Sequence, residues 1–105
     1  IRKGYLVPYD SYANRIATAK FVADIPMNPN HRSYQTLKNI ELSLSKHHCP
    51  ILILWGRKDS CFHYYFLNRW REIYPHATVK IYENAGHYVL EDAKDEIIAE
   101  LKNFI

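Results

Sequence analysis

The second half of the chain holds two short apolar runs, each ending in a polar turn. Cys49-Pro50-Ile51-Leu52-Ile53-Leu54-Trp55 leads into Gly56-Arg57-Lys58-Asp59, and Thr78-Val79-Lys80-Ile81-Tyr82 leads into Glu83-Asn84-Ala85-Gly86-His87. Ile51 to Trp55 is apolar at every position, the pattern of a strand covered on both faces in a parallel sheet. Helical spacing surrounds both runs. Leu37, Ile40 and Leu44 share one face after a capping Ser33. Phe62, Phe66, Trp70 and Ile73 mark a further helix closed by Pro75, and Ile97, Leu101 and Phe104 mark the last one, with Lys94, Asp95 and Lys102 turned away. Helix, strand, helix, strand, helix predicts an α/β fold with a parallel sheet and right-handed crossovers. Ligands of such sheets bind outside the carboxyl ends of the strands. Asp59 and His87 both fall there.

A carboxylate and an imidazole on successive strand-end loops are two members of a nucleophile–base–acid triad. The third member has no evident candidate. Two strands alone leave edges unpaired and apolar faces uncovered, so the chain reads better as the last part of a larger sheet than as a whole domain. Its start at Ile1, not Met, fits a piece of a longer protein.

The first half is helical. Pro8-Tyr9-Asp10-Ser11 predicts a helix start with Asp10 or Ser11 as N-cap, and Tyr12, Ile16, Ala19 and Ala23 recur at helical spacing up to Asp24. Pro26-Met27-Asn28-Pro29-Asn30 reads as a loop. Two segments are expected: 1–48 as a helical stretch and 49–105 as the strands and helices of the sheet.

Composition narrows the partners. The 105 residues carry a net charge of +3, with 14 Lys and Arg scattered among 11 Asp and Glu, so no basic patch indicates nucleic acid. No apolar run approaches the roughly 20 residues of a membrane span, and no secretory or transit signature follows Ile1. Two cysteines are too few for a disulfide framework and suit a reducing cytosol, so a cytoplasmic location is expected. An exposed sheet edge would favour a homo-oligomer.

The stretch Pro50 to Asp59 resembles the penultimate strand and acid loop of the α/β-hydrolase family. Ala85-Gly86-His87-Tyr88-Val89-Leu90-Glu91-Asp92 resembles that family's histidine loop and the start of its final helix, and the 28 positions between Asp59 and His87 are typical of the pairing. Gly4-Tyr5-Leu6-Val7-Pro8-Tyr9-Asp10-Ser11-Tyr12-Ala13-Asn14-Arg15-Ile16 is similar to the segment by which haloalkane dehalogenase-like hydrolases return from cap to core. The Trp-Gly-Arg-Lys-Asp run, Phe66-Leu67-Asn68-Arg69-Trp70 and Gly86 to Asp92 point to the branch of β-lactone decarboxylases from bacterial olefin biosynthesis. The resemblance implies roles. His87 would be the general base that activates water against a covalent ester, and Asp59 would hold its other ring nitrogen and stabilise the imidazolium. It also implies a small apolar substrate and no cofactor. The family's nucleophile, Ser or Asp, sits in a glycine-flanked elbow. No such motif occurs in these residues, so this chain alone is expected to show no turnover. Where the family has proline after the acid, this chain has Ser60-Cys61-Phe62.

Blander readings stand beside these. Asp59 also suits a cap for the helix near Phe62, and His87 alone would pass as a surface turn residue. Glu91 and Asp92 suit the first turn of the last helix, where the dipole favours anions. His47, His48, Cys49, Cys61 and His63 match no standard zinc spacing, so no metal is expected. Cys61 lies two residues after the acid, and its thiol is expected to point elsewhere. Trp55 and Trp70 read as core. The tyrosines of the first half fit a pocket border or simple packing equally well. A rival to the enzyme is a non-catalytic remnant or association module that completes its sheet with another chain. A glycine-flanked Ser or Asp upstream would favour the enzyme.

Overall fold

A computed structural model describes all of residues 1–105. The chain forms two compact units, Ile1–Ser43 and Leu44–Ile105.

The first unit is helical. Helix α1 (Arg2–Leu6) runs into a single 3-10 turn, Val7–Tyr9, whose Pro8 supplies the fixed φ of a helical first turn. This short pair lies outside the expected helix. Helix α2 (Tyr12–Ala23) starts where the sequence predicts: Ser11 is extended, and its side chain accepts a 3.2 Å hydrogen bond from the Asn14 N–H. Asp24 ends the helix. Its carboxylate takes two hydrogen bonds from Arg32, at 2.9 and 3.3 Å, and so closes the proline-bounded loop before α3 (Tyr34–Leu44). The Arg32 guanidinium holds the Asp24 carboxyl below its ordinary pKa. No side chain of this unit is fully buried.

The second unit carries the sheet. Strands β1 (Leu52–Gly56) and β2 (Thr78–Tyr82) pair in parallel, Leu52 opposite Thr78 and Gly56 opposite Tyr82. Helix α4 (Tyr64–Ile73) makes the crossover between them. It begins two residues later than Phe62 because His63, not an earlier residue, is the N-cap; its ring accepts from the Tyr65 N–H at 3.4 Å. The expected single last helix is two: α5 (Val89–Asp92) and α6 (Lys94–Phe104), divided at Ala93, whose φ of −128° and ψ of 35° are not helical.

Burial follows the amphipathic pattern. Leu67 on the inner face of α4 is wholly buried, and Ala85, Ala93 and Ile97 form a small core against Leu54, Tyr82 and Val89. Leu52 to Trp55 are only half-buried, although every one of them is apolar. Phe62, Phe66, Trp70, Leu90 and Leu101 stay exposed as well. The sheet rim is therefore better ordered by hydrogen bonds than by a core. No helix is long and apolar enough to cross a membrane.

Candidate active site

Parallel pairing in register brings both strands to their carboxyl ends at one level, and the chain leaves Gly56 and Tyr82 side by side. The two exit loops are then tied by their backbones. The Arg57 N–H donates to the Tyr82 carbonyl at 3.0 Å, and the Lys58 N–H to the Ala85 carbonyl at 2.9 Å. Lys58 Nζ reaches Asn84 Oδ1 at 3.1 Å, and Arg57 lies 3.6 Å from Glu83.

Gly56 is the hinge of this arrangement, for a reason the sequence does not announce. Its φ is not positive, so no left-handed turn requires glycine there. What requires it is proximity. A β-carbon at position 56 would overlap the Gly86 carbonyl oxygen and stand 2.8 Å from the Ala85 carbonyl oxygen. Glycine serves here for close backbone approach, not for a turn of its own.

On this frame the structure brings Asp59 and His87 together. His87 Nδ1 lies 3.2 Å from Oδ1 and 3.1 Å from Oδ2 of Asp59. The Asp59 side chain is 9% exposed and that of His87 40%. Burial pushes the Asp59 carboxyl up. Hydrogen bonds from the Phe62 N–H, the His87 ring and the Cys61 N–H outweigh it and leave the pKa below the ordinary carboxylate value. An ionised carboxylate only accepts, so Nδ1 carries the proton and donates it. Nε2 is left as the ring nitrogen without a hydrogen-bond partner in the chain. The Phe62 ring, 5.2 Å from the imidazole centroid, and Tyr88, at 5.6 Å, flank it.

Asp59 also closes its own turn. Oδ1 accepts the N–H groups of Cys61 and Phe62, both at 2.8 Å. The capping reading of this residue is therefore realised at the turn, while α4 is capped by His63. Glu91 and Asp92 lie in a helical first turn as expected, that of α5. Asp92 has a second part that was not expected: it accepts the Gly86 N–H at 2.8 Å, fixing the peptide just before His87. Gly86 followed six residues later by an acid is the signal that would have found it.

Cys61 does not point elsewhere. Its sulfur, a ring nitrogen of His87 and a carboxylate oxygen of Asp59 all lie within 4.8 Å of one another. The turn that Asp59 closes folds the cysteine back toward the imidazole, an effect that sequence separation alone hides. His47, His48 and Cys49 lie at the other end of the sheet. With Pro50, Glu72 and His76 they help line a concavity of about 690 Å³ at the amino ends of the strands. It shares no residue with the Asp59–His87 pair.

Residues 9–94 match the family described as the alpha/beta hydrolase fold. The chain belongs to the α/β-hydrolase-fold family. Two relatives carry the name cis-3-alkyl-4-alkyloxetan-2-one decarboxylase. One, from Shewanella oneidensis, is 48% identical across the whole of this chain and 33% of its own length. The other, from Xanthomonas campestris, is 36% identical across the whole chain and 35% of its own length. The chain thus spans about a third of the curated relatives it matches, and it is this third that bears the paired strand-end loops. No solved structure matches it.

Proposed function

We propose that the chain supplies the acid and the base of an α/β-hydrolase-type catalytic triad. The nucleophile comes from polypeptide outside these 105 residues. The observation that carries this is the Nδ1-to-carboxylate pairing of His87 and Asp59 across two strand-end loops, at 3.1–3.2 Å. It leaves Nε2, the nitrogen a base would use, without a partner in the chain, on a side chain that is 40% exposed.

In this reading His87 faces the covalent ester between enzyme and substrate: Nε2 is the base toward water where such an ester is hydrolysed, and the protonated ring stabilises the departing enzyme carboxylate where an opened lactone loses carbon dioxide without taking up water. The ring becomes an imidazolium. Asp59 is already ionised and hydrogen-bonded to Nδ1–H, so it stabilises that cation without itself taking the proton. Burial of the carboxylate strengthens its attraction for the charged ring relative to a solvated pair. Asp92, through Gly86, and Phe62, beside the ring at 5.2 Å, are positioning residues.

The relatives' name supplies the substrate class: a four-membered β-lactone with alkyl groups cis on carbons 3 and 4. Loss of carbon dioxide from such a ring breaks the ring C–O bond and one C–C bond, leaving an alkene. The exposed Phe62, Phe66 and Leu90 near the rim suit alkyl chains.

The test is the intact protein, with a cis-3,4-dialkyl oxetan-2-one as substrate and alkene release followed by gas chromatography. His87→Ala is expected to lower turnover by roughly 10³-fold or more, the size seen when a triad member is removed. Full turnover by that variant would sink the proposal.

A further inference from the structure

The rim contains one chemical group that acid–base catalysis does not use. The Cys61 thiol sits beside the pair, exposed, in a cluster of three side chains from three ligand classes: carboxylate, thiol and imidazole. His47, His48, Cys49 and His76 at the opposite end of the sheet form no comparable group of three.

We propose that Asp59, Cys61 and His87 form a three-ligand site for zinc, and that occupancy of this site switches the imidazole out of its base role. The second half of that statement rests on the triad reading; the binding half does not. Zinc bonds to carboxylate oxygen and imidazole nitrogen at about 2.0–2.2 Å and to thiolate at about 2.3 Å. Donor atoms around one tetrahedral ion are therefore roughly 3.3–3.7 Å apart. His87 Nδ1 and the Asp59 oxygens, at 3.1–3.2 Å, already have nearly that separation. The sulfur lies within 4.8 Å of a ring nitrogen of His87 and of a carboxylate oxygen of Asp59, and contraction of about an ångström by rotation of an exposed cysteine closes the triangle. The Asp59 carboxylate is held in place by the Cys61 and Phe62 N–H groups, the kind of outer support that orients a metal ligand. Carboxylate and thiolate together neutralise the ion. With three protein ligands and an open side, water completes the shell.

The proton balance gives the consequence. As zinc binds, the Cys61 thiol releases one proton to solvent. The His87 proton moves from Nδ1, which now bonds the metal, to Nε2. No other bond changes. Nε2 then has no lone pair to accept a proton, and the Nδ1–H donation to Asp59 is gone. A bound ion at this position is an inhibitor, not a Lewis acid for the substrate.

The intact protein is titrated with Zn²⁺ alone in competition with a chromophoric chelator, and with Co²⁺ as a spectroscopic stand-in. Cobalt is expected to give a thiolate-to-metal charge-transfer band that Cys61→Ser abolishes and Cys49→Ser keeps. Cys61→Ser is expected to weaken zinc binding at least tenfold. In the unsubstituted protein, zinc is expected to slow alkylation of Cys61 and not of Cys49, read by peptide mass spectrometry. This last measurement needs no variant and holds even if Cys61→Ser fails to fold. Alkylation of Cys61 at equal rates with and without zinc overturns the site, as does a charge-transfer band that survives Cys61→Ser. Turnover that persists at zinc concentrations saturating the cobalt site overturns the switch. If the metal-free protein shows no turnover while the band appears and depends on Cys61, the triad reading fails and the site stands.

Discussion

Gly56→Ala tests whether the close approach of the two strand-end loops sets the geometry of the pair. The added β-carbon would overlap the Gly86 carbonyl oxygen and stand 2.8 Å from the Ala85 carbonyl oxygen and 2.9 Å from the Gly86 carbonyl carbon. Ordinary carbon contacts lie at about 3.5–4.0 Å, so the loops must part by roughly 1 Å. All three obstructing atoms are backbone, and none can be relieved by a rotamer change. Overpacking of this kind costs about 1–3 kcal/mol, and the upper end applies because the Lys58-to-Ala85 hydrogen bond, at 2.9 Å, must stretch as well. His87 follows Gly86 directly, so its ring moves with the peptide. A displacement near 1 Å in a catalytic geometry costs roughly 10²-fold in rate. Urea unfolding and steady-state turnover of the intact protein measure the two effects. Stability within about 0.5 kcal/mol of the parent, the ordinary range of a surface change, would refute the clash. Lost stability with an unchanged rate would refute the coupling between this glycine and the imidazole.

Two further outcomes come from single ionisable groups. The folded Asp59 carboxyl has a lowered pKa, so it contributes stability above its unfolded value of about 3.9, and that contribution is lost as pH falls through the folded value. Asp59→Asn is therefore expected to be less stable than the parent at pH 7, with the gap closing below about pH 4; a gap that stays constant from pH 7 to pH 3 in urea titrations would contradict this. The Tyr82 hydroxyl is buried without a hydrogen-bond partner, and burial, aided by Glu100 and Glu96, raises its pKa. Tyr82→Phe is expected to gain about 1 kcal/mol, and to lack the stability loss the parent shows as pH rises above about 10 and through its raised folded pKa. A loss of similar size in thermal or urea unfolding would count against it.

The strands and the pair were legible because their signals are local. Thr78–Tyr82 is the strand the second short run predicts, and β1 differs from the apolar stretch Ile51 to Trp55 only by dropping Ile51 and adding Gly56. Asp59 and His87 could be placed on one rim because parallel strands, once recognised, have their carboxyl ends on the same side. Four features were not legible, and each depends on which hydrogen bonds and close contacts the folded backbone makes. Gly56 is needed because of residues 85 and 86, not because of its own dihedral angles. Asp92 is the helix-start acid it looks like, but its reach back to the Gly86 N–H does not show in the sequence. Cys61 looks misdirected until the turn at Asp59 folds it inward. The start of α4 moved to Tyr64 because a histidine ring competes with Asp59 for the capping role, and propensity ranks Asp higher.

The rival readings of Asp59 are compatible, and their compatibility explains why the pair holds its shape on so small a core. An ionised carboxylate offers about four lone-pair sites. Two serve the Cys61 and Phe62 N–H groups and lock the turn; the remainder face His87. The same four-fold capacity makes Asp59 stiff, since a rotation that released the imidazole would also orphan two backbone donors. The imidazole is fixed from its other side by the peptide that Asp92 anchors. Each half of the pair is thus held by its own loop, and the loops by one another through the Arg57 and Lys58 N–H groups. Buried apolar area contributes little here, because only Ala85 among the fully buried residues lies within these loops. A site ordered in this way tolerates half-covered strand faces while keeping donor and acceptor within hydrogen-bond distance. It also makes backbone contacts, not core packing, the sensitive element: substitutions at Gly56 and Asp92 should perturb the pair more than an equal loss of volume at Leu67.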